Sequence, residues 1–228
     1  MPTWHGFCYI FDMEKVFSGK AIFSLPATHA DGQTITLAEA KSEAIRKTLH
    51  FLIALSPGMA AINLSLAVVS LFIGVFAYTF MELLRFSGVK VPVISSITRM
   101  ASRERDKGRF VFGPVTLGIG AILTLMLFPL PAASAGIFAL AFGDGFASLA
   151  GRLFGRIRPS FLLGKSVEGS AACFVATGLS VYLISQNHMV ALIAAFVATA
   201  VEALPLEDYD NIVLPLAVGV AVQWAFLL

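Results

Sequence analysis

Seven apolar runs of Leu, Ala, Val, Ile and Phe divide this chain, at about 49–60, 62–84, 113–130, 132–151, 167–186, 189–204 and 211–228. An α-helix needs about 20 such residues to cross some 30 Å of hydrocarbon. The runs therefore predict an all-α, polytopic integral membrane bundle of about seven transmembrane helices. The first run is short and ends near Pro57-Gly58, so a half-span or a tilted helix is expected there. Composition agrees: 57% of the 228 residues are hydrophobic and 13% charged, against about 25% charged in a soluble domain. Mean hydropathy is +0.84. Residues 1–40 are mixed in character. WHGFCYIF at 4–11 stops at Asp12, too short to span, and reads as an interfacial or peripheral segment. Residues 41–228 read as the membrane-embedded domain. No basic stretch precedes an apolar one at the start, so no cleaved signal peptide is expected and the first membrane segment serves as the signal.

Charge sets the expected orientation. All 16 Lys and Arg fall in three regions: before the first run, between the second and third, and between the fourth and fifth. These regions share one side of the bundle, and the opposite connections carry none. The positive-inside rule makes the basic side, and the N-terminus, cytoplasmic. The membrane is then the cytoplasmic membrane, or the endoplasmic reticulum in a eukaryote. Glu43, Glu82, Asp144, Glu168, Glu202 and Asp210 also fall at or near cytoplasmic run ends. Acidic groups contribute little to topology, so their gathering at one face points to a site. Such a site suits an enzyme joining a water-soluble donor to a lipid acceptor, whereas a transporter more often places its site at the midplane. Net charge is +2, and no basic run is interleaved with aromatics, which excludes a nucleic-acid binder. Cys8 and Cys173 are far apart, so neither a disulfide nor a zinc site is expected. A homo-oligomer is left open.

Four short stretches carry the candidate chemistry. In FGDGFASLAGRLFG, residues 142–155, Asp144, Ser148 and Arg152 share a helix face at i, i+4 and i+8. Gly143, Ala147, Gly151 and Gly155 form a small-residue stripe, either a packing seam or room for a ligand. An intramembrane charge suggests function. Arg152 can reach the interface, but Asp144 lies about two turns deeper and needs a partner. In GKSVEGSAACF, residues 164–174, Ser166 is an N-cap candidate with Glu168 in the first turn. Lys165, Ser170 and the free N–H groups of that helix start could cradle phosphate. In EAIRKTLH, residues 43–50, Glu43, Arg46, Lys47 and His50 share one face. In VEALPLEDYDNIVLP, residues 201–215, Glu202, Asp210 and Asn211 stand at converging run ends, where oxygen ligands suit Mg²⁺ and a simple helix cap is the alternative.

Taken together and in this order, the stretches resemble the CTP-dependent lipid-alcohol kinases: dolichol and polyprenol kinases, phytol kinases and the CTP-type diacylglycerol kinases. The resemblance rests on E-x-x-R-K-x-x-H at 43–50, Glu82, GDGFASLAGRLFG at 143–155, KSVEGS at 165–170, and Glu202, Asp210, Asn211 and Pro215. It covers about residues 40–228. Gly145 stands where dolichol kinases tend to have Thr, which is more like the phytol branch, whereas KSVEGS is closer to the dolichol and diacylglycerol branches. The acceptor therefore stays open among polyprenol or dolichol, a phytol-like isoprenoid and diacylglycerol.

The resemblance implies transfer of the terminal phosphate of CTP to a lipid hydroxyl at the cytoplasmic face. On that basis Asp144 is expected to hold Mg²⁺, with Glu168 or Glu202 as second carboxylate. Lys165, Arg152, Arg46, Lys47, Ser148 and the helix start at Ser166 and Ser170 would hold the triphosphate. Gly143, Gly145, Gly151 and Gly169 would let phosphate approach the backbone. His50 or Glu43 would orient or deprotonate the lipid hydroxyl, and Glu82, Asp210 and Asn211 are further polar candidates. Two rivals are a phosphatidate cytidylyltransferase-like enzyme, which would release pyrophosphate, and a small-anion transporter. The C-terminal signature of the first is not found.

Overall fold

The structure is a computed structural model describing residues 46–89, 109–162 and 164–226. Expectations for residues 1–40, and for Glu43, lie outside the described residues. Among the described residues all regular structure is helical. Helical residues 46–53 form α1. After a turn at 54–55 comes α2, Ser56–Ile62, with Pro57 in its first turn, where a missing N–H costs nothing. The run at 49–60 is thus two short helices. The other runs each give one helix: α3, Leu64–Phe86; α4, Gly113–Leu127; α5, Leu130–Leu153; α6, Val167–Ser185; α7, His188–Glu202; and α8, Asp210–Ala225.

Three of these, α3, α5 and α6, are long and apolar enough to cross a membrane, at 23, 24 and 19 residues. Helices α4, α7 and α8 have 15, 15 and 16 residues. At 1.5 Å per residue each falls several ångströms short of about 30 Å. Helix length alone therefore supports three full crossings where the sequence predicts about seven.

Helix α5 is the axis of the bundle, with α4, α6 and α8 packed around it. It is 67% buried, whereas α3 is 6% buried and lies at the edge with Phe72, Phe76 and Phe80 exposed. Small residues allow the close approach, as in membrane helix pairs. A Cβ on Gly120 would overlap the Asn211 carbonyl oxygen of α8, and one on Gly136 would overlap that of Pro215. Pro215 lacks the N–H that would ordinarily bond the Asn211 carbonyl, and that carbonyl lies instead against Gly120 of α4.

Two local features position the site. Within α5, residues Ala139–Asp144 form a turn of π-helix before α-geometry resumes at Gly145. Such turns shift the phase of the following residues and recur at functional sites. At the end of α3, Glu82 is fully buried. It accepts two bonds from Arg85, at 2.7 and 2.6 Å, and one from the Val111 N–H at 3.0 Å. Arg85 also donates to the Arg109 carbonyl at 2.9 Å. Glu82 is therefore a clamp between α3 and the entry to α4.

Candidate functional site

Two buried charges from distant parts of the sequence meet each other. Lys47 on α1 is 2% exposed, and its Nζ donates to Asp144 Oδ2 at 2.7 Å and to the Asp144 carbonyl at 3.2 Å. The partner that Asp144 needs is thus a lysine 97 residues away, where the sequence alone suggests a bound metal. An ammonium and a carboxylate removed from water need this pairing, because an isolated buried charge is very costly. His50, one turn along α1, is also buried, with Nδ1 3.3 Å from Asp144 Oδ2. That approach makes no hydrogen bond, so Nδ1 is a buried nitrogen without a hydrogen-bond partner. Thr177 Oγ1 is the second buried atom in that state, and it sits where a Cβ on Gly143 would go.

A small cleft, partly continuous with solvent, opens beside this group. Arg46, His50, Asp144, Asp210 and Asn211 form its polar wall, and Leu49, Pro114 and Leu117 an apolar one. Asn211 is buried and donates to the Gly113 carbonyl at 3.3 Å and to Thr116 Oγ1 at 3.0 Å, which holds α8 against α4. Glu207 and Asp208, which sequence reasoning passed over, also line the cleft. The acidic run E-D-Y-D at 207–210 was their available signal. Glu207 has φ +55°, a left-handed backbone that non-glycine residues seldom adopt and that tends to cluster at functional sites.

A second polar group lies between α6 and α7. Lys165 Nζ donates to Glu202 Oε1 at 2.8 Å, and Ser170 Oγ donates to Glu202 Oε2 at 3.4 Å. Burial works against the Lys165 ammonium, but the Glu202 carboxylate overrides it by charge and hydrogen bond and holds its pKa above the ordinary lysine value. The charges of Asp144 and Asp210 also reach Lys165, which connects the two groups electrostatically.

The remaining candidates are distributed as follows. Ser166 caps α6 as its position predicts, accepting from the Gly169 N–H at 3.1 Å. Glu168 does not line the cleft. Its carboxylate accepts from the backbone N–H groups of Arg156 and Ile157 at 3.0 to 3.3 Å, pinning the loop before α6. Ser148 and Arg152 are half-buried on α5. The glycines proposed for phosphate lie at close packing contacts. A Cβ on Gly143 would meet Thr177, one on Gly145 would meet the Phe51 ring at 3.0 Å, one on Gly151 would meet Ser166 Oγ at 3.1 Å, and one on Gly169 would meet the Ala147 carbonyl at 2.9 Å. Each of these four glycines thus has a protein neighbour within reach of a Cβ.

Mg²⁺ takes oxygen ligands, commonly one or two carboxylates with water and substrate phosphate. Asp144 and Asp210 on the same cleft fit that mode. Among the described residues no three His, Cys, Asp or Glu side chains gather closely enough to hold a metal ion, so phosphate and water would complete its shell.

Comparison with known proteins adds a relationship. The chain is 31% identical over 143 residues to "Probable phytol kinase, chloroplastic" of Triticum aestivum, covering 55% of this chain and 46% of that protein. It is 26% identical over 159 residues to "Phytol kinase 1, chloroplastic" of Arabidopsis thaliana, covering 61% of this chain and 52% of that one. A rice protein, "Probable phytol kinase 1, chloroplastic" of Oryza sativa subsp. japonica, is 25% identical over 157 residues, covering 61% of this chain and 50% of its own. The chain spans about half the length of the curated relatives it matches. These relatives fall on the phytol branch of the lipid-alcohol kinases that GDG resembles. No protein-family model and no solved structure matches the chain.

Proposed function

We propose that this chain is a membrane kinase that transfers the terminal phosphate of CTP to the hydroxyl of an isoprenoid alcohol of the phytol type, at the basic, cytoplasmic end of the bundle. One observation carries the reading: the cleft brings Arg46 and His50 of α1, Asp144 of α5 and Asp210 of α8 to one opening with an apolar wall beside them. A charged phosphate and a greasy acceptor can therefore meet there. The phytol-kinase relatives support the reaction class and the acceptor, and the motif resemblance supports CTP as donor and Mg²⁺ as cofactor.

Phosphoryl transfer depends mainly on positioning and charge neutralisation. Lys47 fixes the Asp144 carboxylate through the 2.7 Å bond to its Oδ2. Asp144 and Asp210 would hold Mg²⁺, which when bound neutralises charge developing on the phosphates. Arg46 faces the cleft and would bind the triphosphate. Lys165 is held between Glu202 and the solvent edge and would add a second point charge. Leu49, Pro114 and Leu117 would receive the first isoprene unit.

The test uses the full chain in lipid nanodiscs with γ-labelled CTP. Phytol, a polyprenol and diacylglycerol are offered as acceptors, with ATP and GTP as competing donors. CDP and phytyl phosphate are the expected products. Pyrophosphate and a CDP-lipid, or no turnover with any acceptor, would overturn the proposal.

A further inference from the structure

The cleft lies below the ends of the helices around it. A Cβ on Gly118 of α4 would overlap Val75 of α3, so those two residues stand level. From that contact α3 runs eleven residues to its end at Phe86, whereas α4 runs only five back to its start at Gly113. The difference of six residues is about 9 Å at 1.5 Å per residue. At the opposite end the two helices stop within about 3 Å of one another, since Val75 is eleven residues from Leu64 and Gly118 nine from Leu127. Helix α4 is therefore short at the site end alone. The chain before it descends the last two turns of α3: Arg85 donates to the Arg109 carbonyl, Glu82 accepts from the Val111 N–H, and Tyr78 donates to the Val111 carbonyl. Helix α5 gives a second, independent measure. Asp144 lines the cleft, and α5 continues nine residues beyond it to Leu153, about 13 Å. Helix α8 also begins at the cleft, at Asp210. The overhanging turns are apolar on the outside, with Phe80, Leu83 and Phe86 of α3 and Leu153 of α5 exposed. A polar cleft set beneath such turns lies at the depth of hydrocarbon, below the headgroup layer.

We infer that the candidate site is a polar pit sunk about 9 to 13 Å below the rim of the bundle, and that its depth selects an acceptor whose hydroxyl ends a single hydrocarbon chain. Such an alcohol lowers its hydroxyl into the pit with only hydrocarbon behind it, and the wall of Leu49, Pro114 and Leu117 receives that hydrocarbon. The polar groups of the pit replace the water that the hydroxyl leaves. An acceptor with an ester beside its hydroxyl, as in diacylglycerol, must draw the ester oxygens below the headgroup layer as well, which buries polar atoms without partners. The selection rests on the kinase reading, whereas the depth does not and can be measured without turnover.

Depth is read from nitroxide labels on the full chain in nanodiscs, in a Cys8→Ser background, since Cys173 is buried and gives the reagent no access. One label goes at Phe112→Cys, exposed beside the start of α4, and two at Phe86→Cys and Leu153→Cys on the rim. Collision with oxygen, which concentrates in hydrocarbon, is compared with collision with a water-soluble nickel chelate. The label at 112 is expected about 9 Å deeper than the other two. Three labels at one level, or a label at 112 that the nickel chelate reaches as readily as the rim labels, overturns the pit. Selection is read as kcat/KM for phytol and for the 2-hydroxyethyl ester of phytanic acid, which has the same branched chain with an ester beside the hydroxyl. The ester is expected to be about tenfold poorer, the factor that burying one such group costs. An ester as good as phytol overturns the selection. Labels at the expected depths with no transfer from CTP to any alcohol leave the pit standing and remove the kinase reading, and the selection with it. Transfer to phytol with the three labels at one level leaves the kinase reading standing and removes the pit.

Discussion

Replacing Lys47 with Met should destabilise the protein far more than a surface lysine substitution would. At 2.7 Å and an effective dielectric near 20, the Lys47–Asp144 attraction is about 6 kcal/mol. Desolvating the two ions costs several kcal/mol each, so the intact pair contributes little net stability. Breaking it is a different matter. Lys47→Met leaves the buried Asp144 carboxylate without its ammonium, which costs about 3–5 kcal/mol. For a chain of this size that corresponds to a fall of very roughly 6–20 °C in unfolding midpoint. The double variant Lys47→Met/Asp144→Asn removes both charges and should recover at least half of the loss. The assay is thermal unfolding in detergent of wild type, both single variants and the double. A Lys47→Met midpoint within about 2 °C of wild type, or a double variant as unstable as the sum of the singles, would refute the buried pair.

Other expectations follow from the same packing and charge arguments. Gly120→Ala would drive a methyl into the Asn211 carbonyl and should cost about 1–3 kcal/mol, whereas Gly74→Ala, with open space around it, should be neutral or stabilising by up to about 1 kcal/mol; unfolding midpoints separate the two. Glu82→Ala should lower stability by about 1.5–3 kcal/mol through loss of the Arg85 and Val111 bonds while leaving the KM for CTP unchanged, as steady-state kinetics would read. Because Glu202 raises the Lys165 pKa, the stability from that ammonium is complete below about pH 10 and is lost only as pH climbs through the raised value. The midpoint difference between wild type and Lys165→Met should therefore stay flat from about pH 6 to 9.

The helices were legible because apolar runs bounded by charge, Pro and Gly carry their own signal. Ser166 was legible as a cap because capping is local: the hydroxyl and the N–H it serves are three residues apart. The polar candidates Lys47, His50 and Asp144 could also be named, since ionisable groups inside or beside an apolar run are visible in one dimension. Their pairing could not, because it depends on how α1 docks on α5 across 97 intervening residues. The π turn at Ala139–Asp144 was equally hidden, since the composition of that stretch differs little from the helix on either side. That turn also bears on which face Asp144 presents. The glycine stripe had two readings, and its close contact with α6 depends on how that helix docks, which the sequence does not carry. Glu168 shows the same limit: its place in the first turn of α6 was foreseeable, but its use in holding the backbone at Arg156 and Ile157 depends on how the preceding loop returns.

The most direct test of the account is label transfer from γ-labelled CTP to phytol by wild type and by Asp144→Asn, each reconstituted in nanodiscs with Mg²⁺. The account predicts labelled phytyl phosphate and CDP from wild type, and a rate at least about a hundredfold lower from Asp144→Asn. Near-normal transfer by Asp144→Asn, or wild-type protein that releases pyrophosphate or leaves phytol unlabelled, would contradict it.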